Sequence, residues 1–204
     1  MNTKDVMNAG RDALFSYVGF MCLFAGSGVS KDLSRKVSMV FAASAIACNL
    51  PSILKWPAKT KTPWQGGVGA ATSGYVAFLF SGSERLALLT TLVSLVSSSV
   101  IGPLADAFIE YSANFGSYKP EIQKLTKSLI YGAQFGVLAR VLGYSNKVAL
   151  AATGLIAAEN YLEKKAWSLW GKDVLDNPLD NAKLSGAVYA YNLAAGIALK
   201  SYLL

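Results

Sequence analysis

The sequence predicts an all-α, polytopic integral membrane protein of about seven transmembrane helices, or six if one of the shorter spans fails. Three observations lead there. Only 15% of the 204 residues are charged while 53% are hydrophobic, against about 25% charged in an ordinary soluble domain. The mean hydropathy is +0.37. The charges also gather in short patches that leave long uncharged runs between them, and several runs approach the roughly 17 to 25 apolar residues that cross a hydrocarbon core. A single transmembrane helical domain accounts for residues 1–204.

Each span follows from the charges and breakers that bound it. The first, 13–29, comes after a polar stretch and closes at KDLSRK. It reads as an uncleaved anchor, because no convincing small-x-small cleavage pattern precedes a soluble domain. The second, 37–54, carries Pro51 near its end, where a lost backbone bond is easily relaxed. The segment KWPAKTKTPW then holds Trp56 and Trp64 and reads as a headgroup-level turn, since tryptophan favours that interface.

The third span, 67–80, is rich in glycine and alanine, and a turn at Glu84-Arg85 leads into the fourth, 86–104. A polar connection at 105–119 follows. Pro120 then opens a helix at the position proline favours, with Glu121 on the side the helix dipole prefers. That helix becomes the fifth span, 128–142, and the sixth is 148–162. Residues 163–171 place Trp167 and Trp170 three apart on one helical face, which suits an interfacial stretch. The seventh span is 184–204.

With seven crossings, twelve of the 19 lysines and arginines fall on the N-terminal side and seven on the other. The positive-inside bias puts the N-terminus on the cytoplasmic-equivalent side. Basic loops facing anionic headgroups also explain the net charge of +7 without a nucleic-acid partner, and none is expected.

The chain also admits a 3+1+3 parallel repeat. Residues 34–56 laid on 145–167 coincide at six of 23 positions, including Asn49 with Asn160 and Trp56 with Trp167. Such repeats mark many transporters. Here no residue motif accompanies the match, and helices rich in Ala, Ser and Val align readily by chance.

Catalytic chemistry has little to work with. The chain has no histidine and two cysteines, Cys22 and Cys48, which do not form a CxxC pair. His-based zinc and haem sites and Ser-His-Asp catalysis are therefore excluded. GGVGAATSG and GSGVSK lack the spacing of nucleotide-binding loops, and their glycines suit close helix contact instead. Asp106 and Glu110 share one helical face and read as a solvated helix end. No catalytic residue, cofactor or metal site is expected.

What the spans do carry is small residues. Gly132 and Gly136 form a GxxxG pair, and Gly67 and Gly74 give the third span a similar face; both patterns let helix backbones approach closely. The polar candidates inside or at the ends of spans are Asn49, Gln134, Arg140, Glu159, Asn160 and Asn192. Arg140 lies four residues after Gly136, which places it on the small-residue face within reach of snorkelling. It reads as an anchor fixing the depth of a packed helix. Trp56, Trp64, Trp167 and Trp170 are the expected interfacial anchors.

The expected function is a non-catalytic structural or accessory subunit of a larger membrane assembly, such as an organellar complex or the internal membrane and capsid of a virus. Its partners would be the lipid bilayer and other membrane subunits. The competing expectation is a small solute transporter or channel with the 3+1+3 arrangement.

Overall fold

The computed structural model describes residues 3–114, 120–141, 143–170 and 177–203. Among them the fold is entirely helical. The helices are α1 (Thr3–Ser27), α2 (Lys31–Ile53), α3 (Ala58–Ser81), α4 (Glu84–Val96), α5 (Gly102–Asn114), α6 (Pro120–Val141), α7 (Asn146–Trp170) and α8 (Pro178–Leu203). A π-helical turn, Ser97–Ile101, joins α4 to α5, so the two form one rod and the described residues make up seven rods.

Local chemistry explains the turns and the break. Ser30 and Ser83 cap α2 and α4 by accepting from the Leu33 and Leu86 backbone N–H groups at 3.4 and 3.3 Å, which satisfies donors left open at a helix start. Gly143 ends α6 in the left-handed conformation, φ 87°. The Tyr144 N–H donates to the Ala139 carbonyl and the Gly143 N–H to the Arg140 carbonyl, both at 3.0 Å, which is the Schellman pattern. In the rod, Pro103 brings no N–H, and its ring crowds the carbonyl four residues earlier. The chain widens there, and the Gly102 N–H donates to the Ser97 carbonyl oxygen.

Each rod packs on its sequence neighbours, and α1 packs on α8, so the seven rods close a ring. The α1–α8 pair runs parallel: Arg11 faces Asn181, Phe15 faces Tyr189 and Gly19 faces Asn192. Seven rods alternating in direction require this, because an odd count returns the last beside the first in the same sense. An apolar cluster of Ala166, Leu184 and Val188, with Phe15 and Trp170 against it, fills the junction of α1, α7 and α8.

Several expectations need correction. KWPAKTKTPW is not a turn throughout, since α3 starts at Ala58 and contains Pro63, whose missing N–H leaves the carbonyl of the exposed Lys59 without its helix partner. The connection expected at 105–119 is helical to Asn114, and residues 115–119 lie outside the described residues. The stretch expected at the interface, 163–171, keeps the expected helical character as the end of α7, which runs to Trp170, with residue 171 outside the described residues. Reading spans between charges underestimates helices whose polar turns extend past an apolar stretch.

Among the described residues two helices are long and apolar enough to cross a membrane, Lys31–Ile53 and Glu84–Tyr111. In their most apolar stretches only 17% and 6% of residues are buried inside the molecule. The remaining rods reach the length, but glycine, serine, asparagine and terminal charges dilute their apolar runs.

Candidate functional site

The helix seams use the smallest side chains. Along α6, the buried stripe runs Ser128, Gly132, Gly136 and Ala139. A Cβ added at Gly132 would strike the Thr153 carbonyl oxygen, and one at Gly136 would strike the Thr153 hydroxyl and lie 3.0 Å from the Ala149 carbonyl oxygen. The GxxxG pair thus seats α6 on α7 within the chain. Gly74 meets α4 in the same way, with the Ala87 carbonyl oxygen 2.9 Å from a built Cβ. Gly67, expected on that face, has open space beside it. At its depth α3 faces the π-turn, and the neighbouring Gly66 meets Ser98 instead.

A comparably close crossing joins α1 and α8. A Cβ at Gly26 would lie 2.5 Å from the Leu193 carbonyl oxygen, and one at Gly196 would strike the Leu23 carbonyl oxygen. GSGVSK signalled Gly26 as a contact glycine, but nothing local in the sequence links it to Gly196.

Three of the polar candidates lie in seams, two of them with hydrogen bonds across the contact. The Asn49 amide donates to the Asp12 carboxylate at 3.2 Å and to the Ala45 carbonyl at 2.9 Å. Arg11 holds the same carboxylate at 2.8 Å and reaches Asn181 at 3.4 Å, so one polar cluster ties α1, α2 and α8. The fully buried Ser128 hydroxyl donates to the Asn160 side-chain oxygen at 3.1 Å, bridging α6 and α7. Asn192 is buried against Gly19.

Glu159 and Arg140 stand apart from those contacts. Glu159 is half-buried and lines a recess of about 260 Å³ between α7 and α8 with Leu162, Val188 and Tyr191. The Tyr191 hydroxyl donates to the Leu155 carbonyl at 2.6 Å. Arg140 does not share the buried small-residue face. It is exposed and donates to the Tyr144 carbonyl oxygen beyond its own helix end. The reason is helical drift: each step of four residues overshoots one turn by 40°, so the stripe steps back to Ala139 and leaves Arg140 outside. A cation in the last turn complements the helix dipole.

The tryptophans divide similarly. Trp56 and Trp64 stack edge to face with centroids 5.2 Å apart, and the Trp64 indole N–H donates to the Ala47 carbonyl at 2.7 Å. Pro51 has no N–H to offer that carbonyl, four residues earlier, so Trp64 replaces the missing helix bond from the next helix. Trp170 packs against the α1–α7–α8 cluster rather than facing outward. The side chain of Trp167 lies outside the described residues.

The remaining polar candidate, Gln134, lines a cleft. Where α3, the rod and α6 meet, a cavity of about 330 Å³ is walled by Gln65, Ser73, Ser94, Ser97, Ser98 and Gln134, among others, with no charged side chain. It lies against the π-turn. A second cavity, of about 310 Å³, shares Ser73, Phe135 and Leu138 with it and reaches Phe41 on α2, so the cleft faces the ring interior. The sequence signals for this site were the Ser97–Ser99 run and Gly102-Pro103, which a reading of apolar spans passes over.

Among the described residues no three His, Cys, Asp or Glu side chains converge as a metal site would require. Cys22 and Cys48 are free, partly buried thiols. No protein-family model, curated protein or solved structure matches this chain, so the functional reading rests on its own geometry.

Proposed function

We propose that the chain is an integral membrane protein whose seven rods cross the bilayer, and that it serves as a non-catalytic structural or accessory subunit of a larger membrane assembly. The observation carrying this reading is the inverted placement of side-chain size. The buried positions are dominated by Ala, Gly, Ser and Thr, whereas Leu14, Leu88, Leu104, Phe108 and Leu150 are each at least 63% exposed. A soluble bundle buries its large apolar side chains. Helices in lipid gain little from doing so and pack through small residues.

The low burial of the two most apolar helices argues in the same direction, because a soluble core helix would be mostly buried. Asn49, Asn160 and Asn192 belong to helix contacts and are taken up in packing rather than in the cleft that Gln134 and the serines line. The repeat expected of a transporter also finds unequal partners. One residue out of the 34–56/145–167 register, Ser73-Gly74-x-Val76 answers Ser185-Gly186-x-Val188, yet Gly74 is packed tightly while Gly186 has open space. The N-terminus is assigned to the cytoplasmic-equivalent side on the basic-residue bias.

Purification from native membranes in mild detergent tests the role. The expected result is co-elution with other membrane proteins in a fixed ratio. A monodisperse single-chain particle that carries a solute across reconstituted vesicles would instead establish the transporter.

A further inference from the structure

The rod and α6 are tied at one end and separate at the other. Asp106 on α5 pairs with Lys127 on α6 at 2.8 Å, while α4 makes at most marginal contact with α6. The π-turn lies between these two regimes. Beside it, on the other side of the rod–α6 pair from the serine cleft, runs a second groove of about 480 Å³. Leu92, Val96, Ile101, Ile130, Ala133 and Val137 form most of its wall. Leu92, Val96 and Val137 are 57%, 51% and 61% exposed, so this groove opens on the outer surface. Val93, Ser97 and Gln134 line both cavities, and the outer groove therefore meets the inner cleft at those three residues.

We propose that this opening binds an uncharged lipid with a hydroxyl-bearing head, of the diacylglycerol class. This rests on the membrane reading, since the ligand enters sideways from the bilayer. The hydrocarbon chains lie in the outer groove, and the head lies inside against Gln134 and the serines. Gln134 can both donate and accept, as can each serine hydroxyl, which matches a ligand carrying an alcohol and ester carbonyls. Gln134 is bonded to no described neighbour, so its amide is available. Neither cavity holds a charged side chain, and a phosphate brought in there would lose its hydration with nothing to replace it. Each cavity is of the size that holds small ligands, roughly 300 to 1,000 Å³.

The test uses the full chain in liposomes with two diazirine-bearing probes of matched acyl chains, one a diacylglycerol and one a phosphatidylcholine. Diacylglycerol is expected to label the segments 92–101 and 130–137 in preference to the phospholipid, and unlabelled diacylglycerol should compete. Gln134→Leu should weaken that labelling about tenfold, the equivalent of one to two hydrogen bonds. Ala133→Trp, which fills the apolar groove from a position exposed in the fold, should remove it independently. Equal labelling by both probes, or labelling unchanged in both variants, overturns the site while leaving the membrane reading intact. Labelling of no segment by either probe overturns both.

Discussion

The α1–α8 seam and the opening between the rod and α6 are made of contrasting materials. At the seam, Gly26 and Gly196 bring two backbones so close that neither position has room for a Cβ. At the opening, Leu92, Val96 and Val137 stand exposed around a groove, and the Asp106–Lys127 pair ties the two elements near its end. The seam joins residues about as far apart in sequence as this chain allows, so it closes the ring. The opening joins near neighbours and is held apart by a widened turn. Small residues thus mark where the fold is fixed, and large apolar ones mark where it meets its surroundings.

The sharpest way to break this contrast is to add bulk at the seam. Gly196→Val is expected to destabilise by about 3 kcal/mol or more, since the added side chain cannot be accommodated without parting two helices. Unfolding in graded denaturing detergent measures it, and a near-neutral result would remove the seam from the account. Trp64→Phe should cost about 1–2 kcal/mol, because it leaves the Ala47 carbonyl that Pro51 already deprives of a helix partner unsatisfied. In a Pro51→Ala background, which restores the N–H, the same change should cost less, and a double-mutant cycle measures the difference.

Smaller effects are expected away from those contacts. Gly67→Ala should stabilise by up to about 1 kcal/mol through helix propensity, because the position is open, whereas Gly74→Ala should destabilise. Ser128→Ala should cost about 0.6 kcal/mol, the average for a hydrogen bond between membrane helices. Val137→Ala, at the rim of the opening, should stay within about 0.5 kcal/mol. A large loss there would show that the groove is packed rather than open.

How much of this was legible beforehand depends on the range of the interaction. The helices, the Pro120 start and the GxxxG pair are local patterns, and charge spacing located each rod while leaving several ends eight to ten residues short. What the pattern hid was pairing. Gly132 needs α7 opposite it and Gly26 needs α8 some 170 residues away, and periodicity says nothing about either partner. Trp64 carried the composition of an interfacial anchor, yet its role depends on a carbonyl that Pro51 freed in another helix. Arg140 was misplaced by a single step of helical drift. The serine cleft escaped because its residues come from three elements, and none is unusual alone.

The proposed crossing of a bilayer by seven rods puts Thr3 and Ser201 on opposite faces. It is tested most directly by single cysteines at those two exposed positions, with Cys22 and Cys48 replaced by serine, in sealed vesicles of one orientation. A membrane-impermeant maleimide should label only one of the two before detergent is added and both afterwards, with the chain resisting carbonate extraction. Labelling of both positions from the same side, or release of the chain by carbonate, would contradict it.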